Sequence, residues 1–266
     1  TKSYEIKRFF IEKDISMNEW KRVADYSLIM NSYKRTGRKP ASMNDLHQFM
    51  IDGTGEKYIP GSSIKGALMN ILESSIKDEV LMKNIHRNIS VKDSKPISIN
   101  DFEVYQKVDI NKKEKDMPIY RECIKPETII ELKLTLNVSE YFSISDLEKH
   151  IEGFYHSYTT KWLNGFEEVR AGNKFLKQRQ MNSNGKLMIY LGGGVGFVSK
   201  TGLYHQFDRK KARKETLKVL SRKFHQQYKY NEEQYINIPK ALKGTYNSRK
   251  DQWYEQGLCE IKFEEI

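Results

Sequence analysis

Apolar residues recur along this chain at two spacings, and each spacing predicts a different backbone. After the Pro60-Gly61 turn, Ile64, Ala67, Leu68, Ile71 and Leu72 follow the i, i+3, i+4, i+7, i+8 stripe of a helix with one buried face, predicted from about Ser62 to Lys77. SISDLEKHIEGFYHSYTTKWLNGF repeats the pattern with Leu147, Ile151, Phe154, Tyr158 and Trp162, and Ser145 with Glu148 stand at capping-box spacing. DRKKARKETLKVLSRKFHQQYK carries Leu217, Leu220, Phe224 and Tyr228 on a third stripe. Residues 4 to 33 place Trp20, Val23, Ala24, Ser27 and Leu28 at helical spacing and run into RTGRKPAS, a polar linker.

Period-two stretches lie between these helices. TIIELKLTL turns Ile130, Leu132, Leu134 and Leu136 to one side, and GLCEIKFEEI does the same with Cys259, Ile261 and Phe263. LMIYL and NISVKDS read as short strands. LHQFMIDGTGEKYIPG reads as two short strands around Asp52-Gly53-Thr54-Gly55. FEVYQKV and PIYRECI flank the lysine-rich DINKKEKDM, which predicts a hairpin over about 102–124 with a basic tip. NKFLKQRQMNSNGK is a polar stretch. Hairpins mixed with helices favour an α+β class over a doubly wound parallel sheet. The expected division is an N-terminal part over 1–142 and a C-terminal half over 143–266 that holds the glycine-rich loop and a basic helix.

Composition narrows the function classes. With 38% apolar and 30% charged residues in 266, this is a folding chain, and no apolar run approaches the roughly 20 residues of a membrane span. A cytoplasmic protein is expected. Cys123 and Cys259 are too few for a disulfide framework or a zinc site and sit in strand-like alternation, as buried thiols do. The formal net charge of +11 asks for an acidic partner. Ten Lys or Arg against Asp208 and Glu215 between Lys200 and Lys229 give a local net of +8. Lys211, Lys214, Lys218 and Arg222 share one side there, as a solvated helix face or a surface that tracks phosphates. The apolar stripe opposite is needed for the core, so no membrane contact is expected.

Two motifs carry candidate chemistry. In YIPGSSIKGALM a helix begins just after a Pro-Gly turn, and its free first-turn amides and positive dipole end suit an anion. Ser62 or Ser63 can cap it, Gly61 admits a close backbone, and Lys65 adds charge; an ordinary capped helix needs no more than this. GGGVGFVSKT approaches a nucleotide-binding P-loop, but Ser199 stands where its sixth position requires glycine. A bare backbone lying against a polynucleotide, with Phe197 as a stacking surface, suits it better. His47, His86, His150, His156, His205 and His225 form no metal-binding spacing. His47 and His205, beside the glycine motifs, are the candidates for a metal-free RNA-cleaving base.

These residues carry a resemblance. YIPGSSIKGALM resembles the signature of the RAMP proteins of CRISPR effector complexes, and LGGGVGFVSKT resembles their C-terminal glycine-rich loop. DSKPI, YQKVDINKKEKDMPIYRECI, KALKGTYN and EQGLCEIKFEE resemble more narrowly the RAMP subunit that caps the backbone filament of type III-A (Csm) complexes at the 3′ side of the CRISPR RNA. The resemblance implies a ferredoxin-like, RRM-related fold in which the signature helix, the glycine loop and a basic "thumb" hairpin hold single-stranded CRISPR RNA. Expected RNA contacts are Gly61, Ser62, Ser63, Lys65, Lys107, Lys112, Lys113, Arg121, Gly192, Gly193, Gly194, Gly196, Phe197 and Lys200. The expected partners are the CRISPR RNA, the adjoining RAMP backbone subunit, other subunits of the complex and host nucleases that trim the RNA. No cofactor, metal or catalytic residue is implied for this subunit. Its backbone relatives cleave target RNA with an aspartate upstream of the signature, near Asp45 here, and processing relatives use a histidine, so a RAMP endoribonuclease is the alternative. The family's opening strand and glycine turn do not precede Lys34, and the start reads as trimmed.

Overall fold

Residues 12–14, 16, 18–19, 22, 24–33, 45–137, 142–178, 185–224 and 236–265 are described by the computed structural model. The first half holds β1 (Met30–Asn31), β2 (Asp45–His47), α1 (Gly61–Ser75), α2 (Glu79–Asn88), β3 (Ile89–Val91), β4 (Phe102–Ile110), β5 (Glu114–Ile124) and β6 (Leu134–Leu136). The second holds α3 (Ile144–Lys161), α4 (Arg170–Gln178), β7 (Leu187–Tyr190), α5 (Val198–Thr201), α6 (Leu203–Gln206), α7 (Arg209–Lys223), β8 (Leu242–Asn247), β9 (Gln252–Glu255) and β10 (Leu258–Ile261). The class is α+β, as the mixed periodicities predict.

The expected hairpin forms, and it is the middle of the main sheet. β4 and β5 pair antiparallel from Phe102↔Ile124 to Ile110↔Glu114, with an irregularity between Gln106 and Val108 that re-aims the side chains beyond it. β2 runs parallel to β5, β8 pairs with the far half of β4, and β9 pairs with β8. β1 lies parallel to the near half of β4. The tip is therefore not a free arm: Ile110 pairs with Leu242, and the Asn111 carbonyl accepts the Gly172 N–H at 3.0 Å. The reason is in β4 itself, whose Phe102, Val104, Tyr105, Val108 and Ile110 are all buried and need cover on both sides.

α3 is the wall between two cores. Tyr155, Tyr158 and Trp162 join Val108, Ile110, Leu242 and Trp253 on the sheet side. Leu147, Ile151 and Phe154 join Ile64, Leu68, Leu72 and Ile189 on the α1 side, where Leu132, Leu134, Leu136, Cys259, Ile261 and Phe263 pack from the edge. Both cores thus draw on residues either side of position 142.

Several local expectations are corrected. Residues 24–33 hold no helix, and Met30 and Asn31 pair with β4 as a short strand; Trp20, Val23, the RTGRKPAS linker and Tyr228 lie outside the described residues. The α3 capping box is Ser143 with Asp146, not Ser145 with Glu148. Only Leu134–Leu136 of TIIELKLTL pair as strand, against a β3 of equal length. α2 was not predicted, and α4 runs into the stretch read as polar from Asn173 on. Phe224 is exposed past the end of α7.

The start of α1 is set by packing. A Cβ at Gly61 would stand 2.1 Å from the Val91 carbonyl oxygen, so β3 lies against this backbone. Gly61→Ala is expected to lower stability by about 1–3 kcal/mol through overpacking, measured as a fall in the denaturation midpoint; an unchanged midpoint would show that β3 yields freely.

Candidate RNA interface

The glycine-rich loop follows β7 and is laid onto the β9–β10 turn. The Leu191 N–H donates to the Gly257 carbonyl at 2.8 Å, and a Cβ at Gly257 would meet Val195 Cγ1 at 2.1 Å. Gly257 has φ +77° and Gly192 φ +88°, where L residues are strained. Gly192 and Gly193 are exposed, and Gly194 is buried over the side chain of Gln256.

Two cations from two strands of the main sheet meet this loop. A Cβ at Gly193 would stand 3.0 Å from Arg121 Nη1, and one at Gly196 would stand 3.7 Å from Lys243 Cγ. Lys107 belongs to the same group. Burial first, and then the charges of Lys243 and Arg121, hold its ammonium below the usual lysine range against the opposing pull of Asp109. Asp109 is taken by Lys243 at 2.8 Å. Three cations against one carboxylate leave a surplus of positive charge beside bare backbone, and a phosphate relieves it.

The predicted site residues divide. The structure brings together Lys107, Arg121, Gly193, Gly194 and Gly196. Lys200 is exposed on α5, five residues beyond Val195, while Phe197 is half-buried against Leu217, Leu220 and Ile238 rather than laid open for stacking. Lys112 and Lys113 are exposed at the hairpin turn.

The signature helix departs from its expected chemistry. Neither serine caps it; the Gly61 N–H donates to Asp93 Oδ1 at 2.7 Å, and the Ser63 N–H to the Pro60 carbonyl at 2.9 Å. A carboxylate already sits where a phosphate was expected. The Lys65 ammonium donates to the His86 carbonyl at 2.8 Å, in the last turn of α2. Ser62, Ser63 and Gly66 remain exposed. The other end of α1 meets the α5–α6 junction, where a Cβ at Gly202 would stand 2.4 Å from Ser74 Cβ, about 20 Å along the helix from Gly61.

The candidate bases lie apart. His47 Nε2 and Asp45 Oδ2 are 2.7 Å from one another on β2, whose His47 is in register with Arg121. His205 packs on Phe154 with its Nδ1 2.9 Å from Ser157 Oγ, and burial holds its pKa below the ordinary value.

Sequence reasoning missed Lys243, Gln256, Asp93 and Gly257. All four lie in stretches that carried the resemblance, KALKGTYN, EQGLCEIKFEE and DSKPI, and repetition along the chain assigns them no chemistry.

Comparison with known proteins gives the family. The RAMP superfamily model matches residues 35–247. The chain is 35% identical to the CRISPR system Cms protein Csm5 of Enterococcus italicus, over 97% of this chain and 78% of that protein. It is 31% identical to the protein of the same name from Streptococcus thermophilus, over 70% of this chain and 60% of that one. Among solved structures it resembles a chain of the Csm-crRNA-target RNA ternary complex of a type III-A CRISPR-Cas system, with a TM-score of 0.50 at 16% identity, covering 80% of this chain and 75% of that chain. The chain belongs to the RAMP superfamily and, within it, to the Csm5 proteins of CRISPR systems.

Proposed function

We propose that this chain is a non-catalytic RNA-binding subunit of a type III-A CRISPR RNA-guided complex, where it binds the 3′ portion of the CRISPR RNA, caps the filament beside a neighbouring RAMP subunit and supports maturation of the RNA by host nucleases. The observation that carries the reading is the approach of Arg121 to Gly193 and of Lys243 to Gly196, with Lys107 in the same cluster of positive charge. Cations and bare backbone hold phosphates without reading bases, which suits a subunit that must accept any guide sequence. The RNA path runs over the loop, with Lys200 and the exposed Ser62 and Ser63 at its flanks and Lys112 and Lys113 towards the adjoining subunit. The relatives' names and the ferredoxin-like character of RAMP proteins support the same reading.

A second reading has one observation in its favour: His47, paired with Asp45, lies in register with Arg121, and an aspartate or histidine beside bound RNA could cleave it. One reconstitution separates the two. Without this chain, native mass spectrometry should find an unfinished filament, and the bound RNA should be altered in its 3′ length profile. With Asp45→Ala or His47→Ala, assembly and target cleavage should both be intact. Cleavage lost with assembly intact would favour the endoribonuclease, and an unchanged RNA profile without the chain would remove the capping role.

A further inference from the structure

Beneath the glycine loop lies a polar group without a task. Gln256 is 6% exposed, and neither its amide oxygen nor its amide nitrogen has a hydrogen-bond partner. Buried amides are nearly always paired, because removal from water without a new bond is unfavourable. The backbone around this side chain is well ordered in its bonding: the Gln256 N–H donates to the Lys243 carbonyl at 3.0 Å, and the Gly257 carbonyl holds Leu191. The neighbouring Glu255 accepts the Tyr158 hydroxyl and, at 3.0 Å, the Tyr190 hydroxyl. Only the amide is left over, and it faces Gly194.

The loop over it is the one that the proposed function lays against RNA. A Cβ at Gly194 would stand 2.4 Å from Gln256 Cδ, 2.6 Å from Nε2 and 2.7 Å from Oε1, so the glycine lies directly on the amide. Arg121 reaches the adjacent Gly193, and its Nε is also buried without a partner. The idle amide and the idle guanidinium N–H thus flank the same two glycines.

We propose that Gln256 reads the ribose of the bound RNA: a small displacement of Gly193–Gly194 exposes the amide, which then pairs with a 2′-hydroxyl while Arg121 takes the adjoining phosphate. A phosphate alone is the poorer match for the amide, since it only accepts and would leave Oε1 unpaired. A 2′-hydroxyl both donates and accepts, and it is the group that separates RNA from DNA. This inference rests on the proposed RNA-binding role and adds to it a sugar-specific contact.

The test uses the whole chain with oligouridylate, its all-deoxy counterpart, and oligouridylates carrying one 2′-deoxy position each. The native chain should favour the all-ribose probe, and one or a few single deoxy positions should weaken binding by roughly two- to tenfold, the worth of a net hydrogen bond. Gln256→Leu removes the idle amide at similar volume, so its midpoint of thermal unfolding should be equal or higher. Its affinity for the deoxy probe should be unchanged, and the penalty at those single positions should vanish. A native chain that binds both sugars equally, with no sensitive position, overturns the inference and leaves the RNA-binding role standing. Equal weakening of both probes in Gln256→Leu overturns it as well. Failure of the native chain to bind either probe would remove the underlying role too.

Discussion

Lys57→Met should destabilise the fold by about 3–5 kcal/mol, the cost of leaving a buried carboxylate without its counter-charge. Lys57 and Glu122 are 5% and 7% exposed, and Lys57 Nζ lies 2.5 Å from Glu122 Oε2. Glu122 also accepts the Phe49 N–H at 2.9 Å and the Tyr26 hydroxyl at 2.8 Å, so both oxygens are occupied. The pair ties the segment that delivers α1 to the C-terminal end of β5. Burial opposes the charge on each partner, and the hydrogen bonds between them outweigh it: Glu122 stays below the usual carboxylate range and Lys57 above the usual lysine range. The contribution of Glu122 is therefore complete above about pH 4.3 and is lost as pH falls through its lowered value. That of Lys57 is complete below about pH 10.4 and is lost as pH rises through its raised value. Replacing both, as Lys57→Met with Glu122→Leu, should recover most of the loss, because no lone charge remains. Denaturant titration at neutral pH checks both variants. A loss under about 1 kcal/mol in the single variant would mean that water or Tyr26 compensates the carboxylate.

This ion pair was not legible in the sequence, and the reason is general. Periodicity reports which face of an element is buried, so the stripes of α1 and α3, the Leu217 and Leu220 part of the α7 stripe and the alternation ending at Phe263 were read from spacing alone. It says nothing about what crosses between elements. Lys57 and Glu122 are 65 residues apart, and Lys107 and Lys243 meet only because β8 pairs with the far half of β4. Local chemistry also misled at the signature. A helix start with two serines invites a serine cap, and the Gly61 N–H is taken instead by Asp93, 32 residues on, because β3 packs its backbone against Gly61. α4 was missed because its apolar residues are few; Ala171, Gly172 and Phe175 are its buried face. The glycine loop was recognised as bare backbone, but its cations could be assembled only by the sheet.

The second large effect is on RNA. Replacing Lys107, Arg121 and Lys243 together by Ala should weaken binding of single-stranded RNA on the order of a hundredfold, if each loses a phosphate contact of about 1 kcal/mol. The loss should be alike for every sequence, since no base edge is involved. Folding should survive. Lys107 is held against like charges, so its removal relieves repulsion, and the Lys243–Asp109 pair is partly exposed and contributes little. Ser62→Ala with Ser63→Ala and Lys65→Ala should do much less, because Lys65 is engaged at the His86 carbonyl.

The dependence of RNA affinity on salt tests the central claim most directly, because it counts neutralised phosphates rather than inferring them. For single strands, log K falls against log salt with a slope of roughly 0.7 for each phosphate neutralised. Measured on the native chain and on the triple variant, the slope should flatten by about 2 in the variant as three phosphates are released. Equal slopes with equal affinities would contradict the account and move the RNA away from the glycine loop.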